Sequence, residues 1–224
     1  MLEELCAIRE KIDNIIKYDD FPTRVRPEFL RQAVLDYPCR GGKRLRPALL
    51  IWSCGLLGGD TGKALLPAAA VEIYHNWTLV HDDIIDNDDF RRGVPATHKL
   101  LESKAINLFG RAGGDFRKFG SDFAILAGDI MQGWAINMLL KSEREGVPSD
   151  VVLALVREMQ TLVNRELISG EALDVEFSYK PVDSISSAEV LEMIRLKTGV
   201  LLSFCAVAGA AIALETSFME NEKI

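Results

Sequence analysis

Apolar residues recur at helical spacing along most of the chain. Leu2, Leu5, Ile8, Ile12, Ile15 and Ile16 follow the i, i+3, i+4 rule and predict one amphipathic helix over residues 2–17, closed by Pro22 and Pro27. A short helix is expected over 27–36, ending before Tyr37-Pro38, because a residue that precedes proline is pushed out of the α region. Beyond the loop Cys39-Arg40-Gly41-Gly42, Leu45, Leu49, Leu50, Trp52 and Leu56 mark a second long helix that runs to Gly58-Gly59. A third, from Ala64 to Asp86, is apolar almost all round and is therefore expected at the centre. Glycines and basic residues punctuate 93–122, which predicts an exposed connection with one helix near 98–109. Helical period resumes over 121–145, 149–177 and 187–214. Ser186 and Glu189 have capping-box spacing, and Ser149-Asp150 is a further helix start. No segment sustains strand alternation and no internal repeat is present. The pattern predicts an all-α fold, a bundle of long helices forming a single domain over 1–224.

Composition narrows what the bundle can do. With 224 residues, 48% of them hydrophobic, the chain can bury a sizeable core. Its 26 basic and 33 acidic side chains leave a formal charge of −7, which argues against a general nucleic-acid binder. An anionic ligand must then be met by a local basic cluster or by metal. Cys6, Cys39, Cys54 and Cys205 are far apart with no CxxC pair, the pattern of reduced thiols in a cytosolic protein. The longest apolar stretch, Val200 to Leu214, falls short of the roughly 20 residues that cross a bilayer, so no transmembrane segment is expected.

The chemistry concentrates at the end of the central helix. Asp82, Asp83, Asp86, Asp88 and Asp89 crowd together there, and on an ideal helix Asp82 and Asp86 lie about 40° apart, one turn along. A solvated acidic helix end is the plain alternative. It is weakened because negative charge at a helix C-terminus opposes the macrodipole and like charges at i, i+4 repel. Oxygen-only ligands at this spacing suit Mg²⁺, which keeps several waters and is usually completed by phosphate oxygens. His75 lies two turns before Asp82 on the same face and taken alone reads as a core histidine. His81, about 100° off that face, reads as packing or as support behind the acids, and His98 has no evident partner.

Three basic groups surround the acids in sequence. Gly41-Gly42-Lys43-Arg44-Leu45-Arg46-Pro47 sets cations at a glycine loop entering a helix, a natural anion site. Lys43 and Arg46 share a face, whereas Arg44 points elsewhere. Arg91-Arg92 follows the acids, and Lys197-Thr198-Gly199 puts a lone cation inside an apolar helix. Each alone reads as a surface charge. Together, beside one acidic cluster, they point to a diphosphate substrate. A Walker A loop is absent, since Gly62-Lys63 is followed by Ala64 and preceded by Leu57 where its first glycine would stand.

With Asp82-Asp83-Ile84-Ile85-Asp86, Arg91-Arg92-Gly93, Leu126-Ala127-Gly128-Asp129 and Gly170-Glu171-Ala172-Leu173-Asp174 in this order, the chain resembles the trans-isoprenyl diphosphate synthases from about residue 38 onward. The resemblance implies an isoprenoid-synthase-like helical domain that condenses isopentenyl diphosphate with an allylic diphosphate such as dimethylallyl, geranyl or farnesyl diphosphate. It implies Mg²⁺ held by Asp82 and Asp86 with Asp83 supporting. Lys43, Arg46, His75 and Arg92 would bind isopentenyl diphosphate, while Arg91, Lys197 and Thr198 would hold the allylic diphosphate. Glu171 and Asp174 would back the metal site or form plain salt bridges. Tyr74, Trp77 and Thr78, just before the acids, would set chain length, and bulky residues there resemble the archaeal geranylgeranyl type, giving a C15–C20 product. A homodimer is expected. The family's second aspartate-rich motif is expected after Lys197-Thr198-Gly199, and the sequence reaches Asn221-Glu222-Lys223-Ile224 before one occurs. On that basis Val200 to Leu214 is expected to be exposed or covered by a partner chain. Leu100 to Phe119 reads as an inserted surface loop. A non-catalytic partner subunit and a terpene cyclase are the alternative functions.

Overall fold

The computed structural model describes residues 2–110 and 115–217. Ten α-helices order those residues: α1 (Leu2–Tyr18), α2 (Glu28–Cys39), α3 (Leu45–Leu56), α4 (Leu65–Ile85), α5 (Thr97–Phe109), α6 (Phe116–Lys141), α7 (Ser149–Glu158), α8 (Asn164–Ser178), α9 (Ser187–Ile194) and α10 (Val200–Leu214). The strands among them are a two-residue hairpin, β1 (Phe90–Arg91) against β2 (Val94–Pro95). The fold is thus the expected all-α bundle, and α4 is its centre, burying residues on every face from Pro67 to Asp83.

The capping box is present: the Ser186 hydroxyl accepts from the Glu189 amide at 3.2 Å while the Glu189 carboxylate accepts from the Ser186 amide at 2.8 Å. Two helices carry a wide π turn that the sequence pattern did not reveal. Met159–Val163 joins α7 to α8, and Arg195–Gly199 joins α9 to α10, so each pair runs as one continuous rod.

Three expectations are corrected. First, α2 continues through Tyr37 and Pro38 to Cys39. A proline in the last turn forfeits one backbone hydrogen bond. Burial of Tyr37 and Pro38 in the core, with the Tyr37 hydroxyl bonded to Asp83, offsets that loss. Second, residues 93–122 are largely helical rather than an exposed connection, and α6 begins at Phe116, where the Asp115 carboxylate caps the Arg117 amide at 3.0 Å. Gly120 is no loop breaker. It sits inside α6, where a Cβ would collide with the His98 carbonyl of α5, so the missing side chain lets the two helices touch. Leu100 to Phe119 is accordingly the body of α5 and the start of α6, with 111–114 outside the described residues.

Third, α10 is not bare. Its Leu201, Phe204, Cys205, Ala208 and Ile212 are buried. Gly209 comes so close to α3 that a Cβ there would lie 2.8 Å from the Ser53 Cβ. Val207 and Leu214 remain exposed. Counted by helix rather than by unbroken apolar run, 116–145 and 187–214 are long and apolar enough to cross a membrane by length and composition alone, and 44% and 50% of their apolar windows are buried inside the bundle.

Candidate active site

The acids and the cations meet around the C-terminal half of α4. Asp82, Asp86 and Glu171 offer carboxylate oxygens that all lie within 4.8 Å of one another. Asp82 and Asp86 come from successive turns of α4, and Glu171 arrives from α8. Burial and the neighbouring Asp82 charge push the Asp86 carboxyl above the ordinary aspartate range. Burial likewise raises the Glu171 carboxyl, against the pull of Lys197. One Glu171 oxygen, Oε1, is buried without a donor. Asp82 Oδ1 is likewise buried without a hydrogen-bond donor, and carboxylates held this close with such oxygens suit a hard divalent cation that takes oxygen ligands.

Lys197 supplies the countercharge within the protein. Its ammonium lies 3.0 Å from Asp82, 2.9 Å from Glu171 and 2.6 Å from Asp174. Burial alone would lower its pKa, but the bonds to Asp174, Glu171 and Asp82 win and raise it. Glu171 and Asp174 therefore both border the acidic cluster and form salt bridges. Lys197 and Thr198, consecutive residues of the π turn, both line the same cleft.

Arg91 closes the other side. From the hairpin it donates to Asp82 Oδ2 at 2.9 Å and, through Nε at 2.6 Å, to Asp83 Oδ1. Asp83 is fully buried, and its second oxygen accepts from the Tyr37 hydroxyl. So Asp83 faces the core, while Asp82 and Asp86 face the cleft.

Two cavities converge on this region. A basic one of about 530 Å³ is lined by Gly42, Lys43, Arg44, Arg46, His75 and Arg92 among others. A smaller one of about 100 Å³ is lined by Thr78, Asp82, Glu171, Lys197 and Thr198 together with Arg46 and His75. Arg46 and His75 thus form the wall common to both. Arg46 donates to His75 Nε2 at 3.1 Å; since arginine only donates, the imidazole is neutral with its proton on Nδ1. Burial, then the charges of Arg46, Arg92, Arg91 and Arg44, hold the His75 pKa down to about 3. Arg46 Nε is buried with no partner, and burial lowers the Arg46 pKa. Arg92 reaches the Gly41 carbonyl and leans on Gly42, where a Cβ would lie 3.0 Å from its guanidinium.

Arg44 has a different task. It is fully buried, donating to Asp13 at 2.7 Å, Glu72 at 2.5 Å and the Pro38 carbonyl at 2.7 Å. Its backbone takes a left-handed φ of 50°, which turns the chain from the glycine loop into α3. Glu72, a lone acid in the apolar run of α4, is the signal from which sequence reasoning, which missed it, could have found a buried cation partner.

The remaining candidates have other surroundings. Tyr74 and Trp77 are buried and pack edge to face, 4.9 Å between ring centres, and the Tyr74 hydroxyl donates to Asn164 at 3.3 Å. They line neither cavity; Thr78 does. His81 bonds the Ile125 carbonyl at 3.2 Å and lies over Gly128, where a Cβ would meet its ring. That contact accounts for the glycine in Leu126-Ala127-Gly128-Asp129. His98 is buried with both ring nitrogens unbonded. Sequence reasoning missed Tyr37, together with Asp36, Arg40 and Thr97 around it, because their importance lies wholly in contacts between distant segments.

Known proteins share this arrangement of segments. The family model described as Polyprenyl synthetase matches residues 27–223. A geranylgeranyl pyrophosphate synthase of Geoglobus acetivorans is 37% identical over 212 residues, covering 95% of this chain and 59% of that protein. Its solved structure superposes with a TM-score of 0.75 at 34% identity, over 96% of this chain and 61% of that one. The geranylgeranyl pyrophosphate synthase of Corynebacterium glutamicum, solved with isoprenyl diphosphate and magnesium, superposes with a TM-score of 0.72 at 28% identity, over 93% of this chain and 59% of that one. The chain therefore spans about three-fifths of the length of these relatives. By its matched segment, its helical fold and its converging acidic and basic motifs, the chain belongs to the polyprenyl synthetase family.

Proposed function

We propose that this chain carries the prenyl-transfer site of a short-chain trans-isoprenyl diphosphate synthase, condensing isopentenyl diphosphate with an allylic diphosphate to a C15–C20 product. The observation that carries the reading is the shared wall: Arg46 and His75 separate a cationic cavity from an acidic cleft, so two diphosphates bound on either side would be neighbours.

Asp82 and Asp86, with Glu171 beside them, are the residues that would hold Mg²⁺. When bound, Mg²⁺ stabilises the charge that develops on a diphosphate leaving group. On the protein's side, Lys197, Thr198 and Arg91 hold the allylic diphosphate, with Asp83 fixing Arg91. Lys43, Arg46, Arg92 and neutral His75 bind isopentenyl diphosphate. The allylic C–O bond breaks with its electron pair going to diphosphate. The isopentenyl double bond then attacks the allylic carbon, and a proton leaves to regenerate an alkene. Tyr74 and Trp77, one to two turns before Asp82 on α4, limit product length from behind the cleft wall that Thr78 lines.

Apolar residues left exposed on α5 and α6, among them Phe109, Ile125, Leu126 and Leu140, are what a second copy would cover in a homodimer. Four free cysteines, two of them exposed, support a reducing, cytoplasmic setting.

The test is incubation with radiolabelled isopentenyl diphosphate, geranyl or farnesyl diphosphate and Mg²⁺. The expected result is an extended C15–C20 product that disappears in Asp82→Ala while helical circular dichroism is unchanged. Binding of isopentenyl diphosphate without any elongation overturns the enzyme reading for this chain. Turnover by Asp82→Ala refutes the metal assignment.

A further inference from the structure

We infer that Tyr37 is a positioning residue for the acidic cleft: its hydroxyl fixes the buried Asp83 carboxylate, which in turn holds Arg91 against Asp82. The inference rests on the prenyl-transfer reading and deepens it.

A fully buried carboxylate must have its oxygens bonded or it costs several kcal/mol. Asp83 meets that need with two partners from opposite sides. The Tyr37 hydroxyl donates to Oδ2, and Arg91 donates to Oδ1. Arg91 has a rigid planar fork, so the angle at which it bonds Asp83 sets where its Nη2 falls. That nitrogen donates to Asp82 Oδ2 at 2.9 Å, while Lys197 lies 3.0 Å from Oδ1. The cleft-facing carboxylate is thus gripped from two sides, and one grip depends on Asp83.

Tyr37 is itself locked. Its hydroxyl accepts from the Thr97 amide at 3.3 Å, at the start of α5. The Arg40 guanidinium covers its ring at 4.5 Å and bonds the Pro95 carbonyl at 2.7 Å and the Arg91 carbonyl at 3.3 Å. Tyr37 therefore ties α2, α4 and α5 together at one oxygen, and Arg40 stacked on its ring holds the hairpin. It lines neither cavity, so it acts through Asp83 and Arg91. The Tyr37 oxygen touches none of the residues lining the basic cavity; Arg92, the one that follows Arg91 in the chain, is anchored there on the Gly41 carbonyl.

Tyr37→Phe removes only the oxygen. Calorimetry with Mg²⁺ would measure the affinity for a non-ionisable allylic thiolodiphosphate and, separately, for isopentenyl diphosphate. The expected result is an allylic Kd raised about tenfold with the isopentenyl Kd within about twofold, the size of one lost hydrogen bond to a charged group. Equal shifts in both, or no shift in either, overturn the inference. If the unaltered chain binds neither diphosphate, the prenyl-transfer reading falls and takes this inference with it; if it binds both and Tyr37→Phe matches it, only the inference falls. Should Tyr37→Phe not fold, Asp83→Asn serves, keeping an acceptor for Tyr37 but weakening the hold on Arg91. It must give the same split.

Discussion

Gly170 of α8 lies against the backbone of Lys197, so close that a Cβ on it would sit 2.7 Å from the Lys197 Cα. This contact sets the distance between Glu171 and the ammonium it bonds. Gly170→Ala must push α8 away from the π turn. We expect a loss of about 1–3 kcal/mol in urea denaturation, the usual cost of overpacking. Elongation activity should fall with it, because Glu171 and Lys197 separate. A stability change within error would mean that the helices yield freely and that the glycine has no positioning role.

Lys197 sits among the same carboxylates that would take a cation. On the proposed reading it would compete with metal until a diphosphate draws it away. Lys197→Ala should bind Mn²⁺, read by electron paramagnetic resonance without diphosphate, about tenfold more tightly, roughly one lost charge interaction. Affinity for the allylic analogue should drop. Weaker Mn²⁺ binding would show that the lysine organises the acids rather than competing for them.

Lys43 and Arg44 are neighbours in sequence with opposite roles. The Arg44 side chain is wholly buried against Glu72, and its removal strands a buried carboxylate. Arg44→Ala should cost about 3–5 kcal/mol in denaturant unfolding. Lys43→Ala, at an exposed position lining the basic cavity, should stay within about 0.5 kcal/mol of the parent. It should instead weaken binding of inorganic diphosphate. Similar stability losses for both would contradict the division.

His75 gives the folded protein a pH signature. Its pKa falls to about 3 from an ordinary 6.5, chiefly through burial and then through the arginines around it. Between those values the unfolded chain binds the extra proton. The contribution of His75 to stability is therefore complete above pH 6.5 and is lost as pH falls toward 3. The slope should approach about 1.4 kcal/mol per pH unit. Chemical denaturation of His75→Gln from pH 7 to pH 4.5 should give a flatter profile than the parent. Parallel profiles would mean that the imidazole is as accessible to protons as in the unfolded chain.

The sequence by itself determined the helices and the order of the motifs. Apolar spacing marked the long helices because a bundle must bury one face of each, and that demand is written at i, i+3 and i+4. The acids at the end of α4 and the Gly41-Gly42-Lys43 loop were legible because their spacing alone concentrates charge. Only the tertiary structure decided the rest. It separated Asp83, turned inward to Tyr37, from Asp82 and Asp86, which face the cleft. It buried the Arg44 side chain in ion pairs with Asp13 and Glu72 while leaving Lys43 exposed and Arg46 against His75. It kept Pro38 inside a helix and made Gly120 and Gly170 contact points rather than breaks. The physical reason is common to all of these. Local pattern records which residues prefer burial, whereas the partner that satisfies a buried charge, or the backbone that needs a glycine's space, comes from a distant segment. Such a partner exists only once the helices have packed.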